Sequence, residues 1–318
     1  MNRKGPAGTD GELWVITSYF NPAGSRRRLQ NYRQFRRYLA APLLTVELSF
    51  GAPPALAPPD ADILLHCRDG DVMWQKERLL NHALPHLPAT CKEVAWIDCD
   101  LIFDSADWTA QTRAALAQAP LVQLFTTLRH APADADPATL RGRTLGWSQP
   151  SVVASIKLNG DPAAALGLVM NRGPDNPSPG MAWAARREQL QPHGLYDRCI
   201  VGGGDTAFAC AALGCPDVAA RLHQMNTHQR QAYLAWAEGL SKQLGGQVAC
   251  LGGTVHHLWH GDVQHRQSSA RHARLAPHDY DPARDLAPGR DGAWRWARGN
   301  AGLHALVQGY FHERREDG

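Results

Sequence analysis

Val94-Ala95-Trp96-Ile97-Asp98-Cys99-Asp100-Leu101-Ile102-Phe103 is an apolar run broken by two aspartates one residue apart. A short continuous apolar run reads as a buried strand, and a charge within one is costly unless it is paired or metal-bound. Side chains alternate along a strand, so a strand continuing through the pair would point Asp98 and Asp100 to the same face. Two carboxylates where a buried strand reaches the surface suit a divalent metal, which can in turn hold a diphosphate. The competing reading is an aspartate pair that caps a turn or the helix after it. An isolated Asp-x-Asp is common, so the surrounding sequence has to decide.

Outward from this run, strand and helix signals alternate. Leu13 to Ser18 is a short apolar strand, and Asn21 to Ser25 is a turn ending in an N-cap. Residues 25–40 have helical spacing, with Leu29, Tyr32, Phe35 and Leu39 on one face. Strands follow at 43–48 and 63–66, a helix at 72–84, and the quoted run as the fourth strand. A helix at 109–119 and a strand at 121–125 continue the series. This alternation predicts an α/β protein: a mostly parallel, Rossmann-like sheet flanked by helices, with its ligand site at the C-terminal ends of the strands. Between Leu128 and Pro179 the pattern lapses into a stretch rich in Pro, Asp, Gly and Ala, with one candidate strand at 152–157. Order resumes at 181–190, in the segment 202–213, in a helix near 229–244 and in a final helix at 301–312. The implied organisation is a flexible N-terminus (1–12), a nucleotide-binding half (13–127), a long loop or lid (128–179) and a catalytic, acceptor-side half (180–318).

A formal charge of +3 gives no strong signal for a nucleic-acid partner. The seven cysteines are scattered without a Cys-x-x-Cys pair, as expected of reduced, buried thiols in a cytoplasmic protein. Met1 to Gly11 is polar, unlike a signal peptide, and no run reaches the length of a membrane span, so an integral membrane protein is not expected.

Three further segments carry chemistry. In Ile200-Val201-Gly202-Gly203-Gly204-Asp205, the glycines allow close approach of a ligand or another segment, and Asp205 opens an apolar helix. It is either that helix's N-cap or a carboxylate able to accept a proton from an attacking hydroxyl, and one residue can do both. In Val255-His256-His257-Leu258-Trp259-His260, an extended chain would put His256 and His260 on one face, whereas a turn would bring His257 and His260 together. Neutral imidazoles suit Mn²⁺ or Zn²⁺ beside a carboxylate, although His-rich loops are often merely solvated. In Met73-Trp74-Gln75-Lys76-Glu77-Arg78, Trp74 could stack on a base and Lys76 could meet a phosphate, while Glu77 is expected to face water. The arginines at 26–28, 33, 36 and 37 read as the solvated face of the first helix.

In order, these segments resemble metal-dependent glycosyltransferases of the GT-A fold, in particular the lactose-synthase type of β-galactosyltransferase. The family's Asn-Arg-Ala-Lys-Leu-Leu-Asn helix and Asp-Val-Asp-Leu strand end are matched by Lys76-Glu77-Arg78-Leu79-Leu80-Asn81 and Asp98-Cys99-Asp100-Leu101. Its Trp-Gly-Gly-Glu-Asp-Asp is matched by Val201-Gly202-Gly203-Gly204-Asp205, and its Met-Ile-Arg-His metal segment by His257-Leu258-Trp259-His260. The resemblance spans residues 13–271, through motif order and spacing more than identity. It implies that Asp100 and His260 bind Mn²⁺ (or Mg²⁺), with His257 in place of the family's methionine ligand. It further implies that Asp98 serves the ribose, Trp74 the uracil and Lys76 the diphosphate of a UDP-sugar. Thr17, Ser18, Tyr19 and Phe20 would cradle the base, and Asp205 would be the catalytic base of an inverting transfer to a hydroxyl acceptor, whether glycan, lipid-linked or small molecule. Gly204 and Val201 stand where the family has glutamate and tryptophan, so no particular donor sugar is implied. Two other readings use the same residues: a retaining glycosyltransferase or nucleotidyltransferase on a similar sheet, and a non-catalytic, His-rich metal-binding or interaction protein.

Overall fold

The computed structural model describes residues 13–171 and 173–318, so the segment 1–12, expected to be flexible, lies outside the described residues. The chain runs β1 (Leu13–Phe20), α1 (Arg26–Tyr38), β2 (Leu43–Leu48), β3 (Ile63–Cys67), α2 (Lys76–Ala83), β4 (Glu93–Ile97), β5 (Leu101–Phe103), α3 (Trp108–Leu116) and β6 (Leu121–Gln123). It continues through β7 (Thr127–His130), β8 (Trp147–Pro150), α4 (Val152–Asn159), α5 (Pro162–Gly167), β9 (Ala182–Arg186), α6 (Arg187–Leu190), α7 (Gly204–Ala212), α8 (Pro216–Leu222) and α9 (Thr227–Leu244). The remainder is β10 (Val248–Cys250), β11 (Thr254–His257), α10 (Ala270–Ala273), α11 (Pro282–Asp285), β12 (Leu286–Pro288), β13 (Trp294–Trp296) and α12 (Ala301–Glu313).

A seven-stranded sheet in the order β10-β6-β9-β4-β1-β2-β3 forms the centre. All its pairings are parallel except those of β9, which runs antiparallel between β4 and β6. Strands covered on both faces read as continuous apolar runs, and β1 and β4 do so here. Ile16, Val94 and Trp96 pack on one face with residues of α2, α7 and α9. Val15, Ala95 and Ile97 pack on the other with Phe35 of α1 and Trp108 and Leu116 of α3. The α/β class and the mostly parallel, helix-flanked sheet are therefore as the sequence implies. A second sheet, β5-β11-β7-β8, abuts the C-terminal end of β4.

Two readings of local structure need correction. Residues 128–179 are not one long loop, because they include most of β7 and all of β8, α4 and α5. The candidate strand at 152–157 is helix α4: the Ser151 side chain accepts from the Ala154 N–H at its start, and Gly160 closes it in the left-handed conformation. The proposed halves also share one sheet, since β9 and β10 from beyond residue 180 lie beside β4 and β6. Among the described residues no helix is long and apolar enough to cross a membrane.

Candidate active site

The aspartate pair lies just past the end of β4, not within a strand, and this separates the two side chains. Asp98 and Asp100 occupy the turn between β4 and β5. The Asp98 carboxylate accepts from Lys76 Nζ at 2.5 Å. The Asp100 carboxylate instead faces two imidazoles, with its Oδ2 3.0 Å from His260 Nε2 and 3.8 Å from His257 Nε2. β11 pairs with β5, and the Leu258 N–H donates to the Asp100 carbonyl at 2.8 Å, so backbone bonds bring the histidine segment to the aspartate turn. His256 points elsewhere and pairs with Asp104. The turn reading of the histidine segment is therefore the one realised: His257 and His260 converge, with their Nε2 atoms 3.2 Å apart.

Asp100, His257 and His260 form a group whose geometry fits a divalent cation. An octahedral ion with ligands at about 2.1 Å holds adjacent ligand atoms about 3 Å apart, and the three separations here are 3.0, 3.2 and 3.8 Å. The buried Asp100 Oδ1 has no hydrogen-bond partner, leaving an acceptor in hand. Burial raises the Asp100 pKa, but His257, His260 and Arg266 outweigh it and hold the carboxyl well below its usual range. Burial likewise holds His257 well below its ordinary value, in the neutral form that ligates metals. His260 Nδ1 lies 3.2 Å from the buried Glu316 carboxylate. A carboxylate only accepts, so Nδ1 donates to Glu316, the carboxylate–histidine arrangement typical of metal ligands, and leaves Nε2 as the nitrogen on the Asp100 side. Arg266 Nη2 donates to His260 Nε2 at 2.8 Å.

The second cluster surrounds Lys76. Its ammonium lies 2.9 Å from both oxygens of Asp205, in addition to the Asp98 contact. Burial opposes the charge on Lys76, but Asp205, Asp98 and Glu77 hold its pKa well above the usual value. Asp205 is the second residue of α7 and not its N-cap, which is Gly203. A Cβ at Gly180 would sit 2.4 Å from the Asp205 carboxyl, so a glycine is needed there for the carboxylate to occupy its place. Met181, next in sequence, has the left-handed φ of 78°, uncommon for a non-glycine residue.

Several expectations fail. Glu77 is buried, at 4% exposure, and does not face water. The Glu77 carboxyl occupies the space left by Gly204, where a Cβ would meet it at 2.2 Å. Burial, only partly offset by Lys76, pushes Glu77 up to about 8 and Asp98 up to about 7. Arg28 does not belong with the solvated arginines, because it pairs with Glu316 at 3.0 Å. Tyr19 does not line the cavity; it packs against Tyr32 and Leu56. The Thr17 hydroxyl is spent on the Ile97 carbonyl at 2.7 Å, tying β1 to β4.

One cavity nevertheless joins most of the sequence-derived residues. Thr17, Ser18, Phe20, Trp74, Lys76 and Asp98 line it, together with Asp100, Asp205, His257 and His260. Trp74 packs edge-on against Phe20 and is stacked on Phe311, so part of its ring surface is already covered by the chain itself. Sequence reasoning missed Arg28, Arg266, Arg271 and Arg314 on the same walls. It also missed Glu316 behind His260. Arg28 stands in the arginine run read as solvated, and Arg271, Arg314 and Glu316 belong to no recognisable local motif.

No protein-family model matches the chain, and no curated protein sequence matches it. Among solved structures, it is similar to glucosyl-3-phosphoglycerate synthase from Mycobacterium tuberculosis in complex with Mn²⁺, uridine-diphosphate-glucose and phosphoglyceric acid. That likeness has 13% identity over 83% of this chain and 79% of the other, with a TM-score of 0.40. It is also similar to S. aureus TarS 1–349 in complex with UDP, at 11% identity over 86% of this chain and 68% of the other, with a TM-score of 0.41. These likenesses are distant, and the roles of individual residues rest on the geometry above.

Proposed function

We propose that this chain is a metal-dependent glycosyltransferase with a GT-A-like fold, moving a sugar from a UDP-sugar to a hydroxyl acceptor with inversion. One observation carries the reading. A carboxylate–bis-imidazole cluster, a buried lysine and a carboxylate at the start of a helix converge in one cavity beside the C-terminal ends of β1 and β4. In this reading Asp100, His257 and His260 hold Mn²⁺ or Mg²⁺. When bound, the ion neutralises charge that builds on the leaving diphosphate. Lys76 meets the diphosphate, Asp98 the ribose, and Ser18, Phe20 and Trp74 border the base. Asp205 accepts the proton of the attacking hydroxyl.

Thermal unfolding with UDP and Mn²⁺, singly and together, tests the class. Stabilisation requiring both is expected, and Asp100→Ala should abolish it; stabilisation by neither would overturn the reading. A general base contributes about 10²–10⁴-fold, so Asp205→Asn should cost that much turnover while UDP–Mn²⁺ binding persists. One contact favours a second reading, a retaining course in which a diphosphate oxygen takes the acceptor proton. Lys76 engages both oxygens of Asp205, so neither is free to take the acceptor proton while that contact lasts. The anomeric configuration of the product distinguishes the two.

A further inference from the structure

Five cationic side chains line the cavity: Arg28, Lys76, Arg266, Arg271 and Arg314. Four of them have an acidic counterpart. Lys76 is held by Asp98 and Asp205, Arg28 and Arg314 share Glu316, and Arg266 lies against the imidazoles facing Asp100 and is drawn by that carboxylate. Arg271 differs. It is 8% exposed, and among the described residues its side chain bonds only the Tyr310 hydroxyl (2.7 Å) and His272 Nε2 (3.4 Å).

Neither partner supplies a full negative charge. Burial holds His272 neutral. Burial raises Tyr310, but Arg271 and Arg314 bring it down to about 8, so it remains mostly protonated at neutral pH, and Arg314 shares it. A guanidinium has five N–H donors in a planar fork, and these bonds use two of them. A desolvated cation without a carboxylate is costly unless an anion is bound to it.

Its location suggests which anion. Arg271 Nη1 lies against the turn before α7, 3.2 Å from where a Cβ on Gly202 would sit. Gly202 and Gly203 take φ values of 84° and 103°, and without side chains they let Arg271 and the stacked His223 and His272 rings pack directly against this turn. Asp205 follows two residues later, and Gly203, Asp205 and Arg271 line the same cavity. We propose that Arg271 anchors an acceptor subsite, binding a carboxylate or phosphate group on the molecule whose hydroxyl faces Asp205. This rests on the glycosyl-transfer reading and narrows the acceptor to an acidic small molecule, such as a hydroxy acid or a phosphorylated polyol, whose planar or tetrahedral anion matches the guanidinium fork.

Calorimetry separates the two claims. UDP is first titrated into the Mn²⁺-loaded protein, and inorganic phosphate is then titrated into the UDP–Mn²⁺ complex. Saturable phosphate binding is expected, weakened about tenfold or more in Arg271→Gln, the loss typical of a charge-assisted hydrogen bond, with UDP affinity unchanged. Arg271→Lys, which keeps the charge, should retain most of the phosphate affinity and guards against a folding artefact. Phosphate binding should also survive replacement of UDP by UDP-glucose; its loss there would place the anion on the donor side and overturn the acceptor role. UDP binding without Arg271-dependent phosphate binding overturns the subsite alone. Absence of UDP binding overturns the glycosyl-transfer reading, and the acceptor role falls with it.

Discussion

At the scale of single residues, one hydrogen bond selects the nitrogen that His260 offers. Glu316 accepts from Nδ1, which leaves Nε2 as the nitrogen beside Asp100 and His257. Losing such a partner typically costs about 10–100-fold in metal affinity. Glu316→Ala should therefore weaken Mn²⁺ binding by that factor in calorimetry, and Glu316→Gln, which keeps an accepting carbonyl, by less. Asp100, His257 and His260 were legible because close sequence spacing brought each pair within reach of a strand or turn argument. Glu316 was not, because nothing local links it to a histidine 56 positions earlier. Glu77 was misassigned for a related reason. A charged residue on a helix reads as solvated, and only the tertiary fold shows it filling the gap at Gly204.

Glu77 also makes stability depend on pH. Burial raises its folded pKa to about 8, whereas an unfolded glutamate titrates near 4.3. Between those values the native state keeps a proton that the unfolded chain has released, so this contribution to stability falls as pH rises and is fully lost above about pH 8. The Tm of the ligand-free protein should decline from about pH 5 to pH 8.5, by about 1.5 °C per kcal/mol lost. Glu77→Gln should flatten that slope; an unchanged slope would show that Glu77 is not the group responsible.

At the scale of elements, the contact between α2 and α7 shapes the acid-rich side of the cavity. α2 delivers Lys76 and Glu77, and α7 delivers Asp205 because residue 204 has no side chain to displace Glu77. Overpacking a core commonly costs about 1–3 kcal/mol, so Gly204→Ala should destabilise the protein by that amount in denaturant titration. The double variant with Glu77→Ala should recover part of the loss, since residues in contact are not additive. The first four strands and the helices between them were readable because each carries a long apolar stripe or run. β7 and β8 were not: they are four residues each, and β8 (Trp-Ser-Gln-Pro) has almost no apolar alternation. α4 misled through its β-branched Val152, Val153 and Ile156, although the Ser151 and Gly160 caps that define it stand in the sequence.

At the scale of the whole molecule, the candidate site draws on residues from Thr17 to Glu316, so ligand binding and global stability are linked. A ligand bound only by the folded state at 100 times its Kd adds about 2.7 kcal/mol, worth roughly 4 °C in a protein of this size. The UDP–Mn²⁺ shift should approach that size, and should shrink in parallel with affinity in the Glu316 variants.

Residues 314–318 return to the start of the fold. Asp317 accepts from the Ser25 hydroxyl and from the N–H groups of Arg26 and Arg27, and Glu316 binds Arg28 across 288 positions. A contact that closes so much chain cannot form early. During synthesis the sheet, Lys76, both aspartates and the histidine segment can all assemble while His260 still lacks its carboxylate. A chain still short of residue 316 would thus resemble the finished protein in shape while the candidate ligand His260 stood without the carboxylate that fixes its ring.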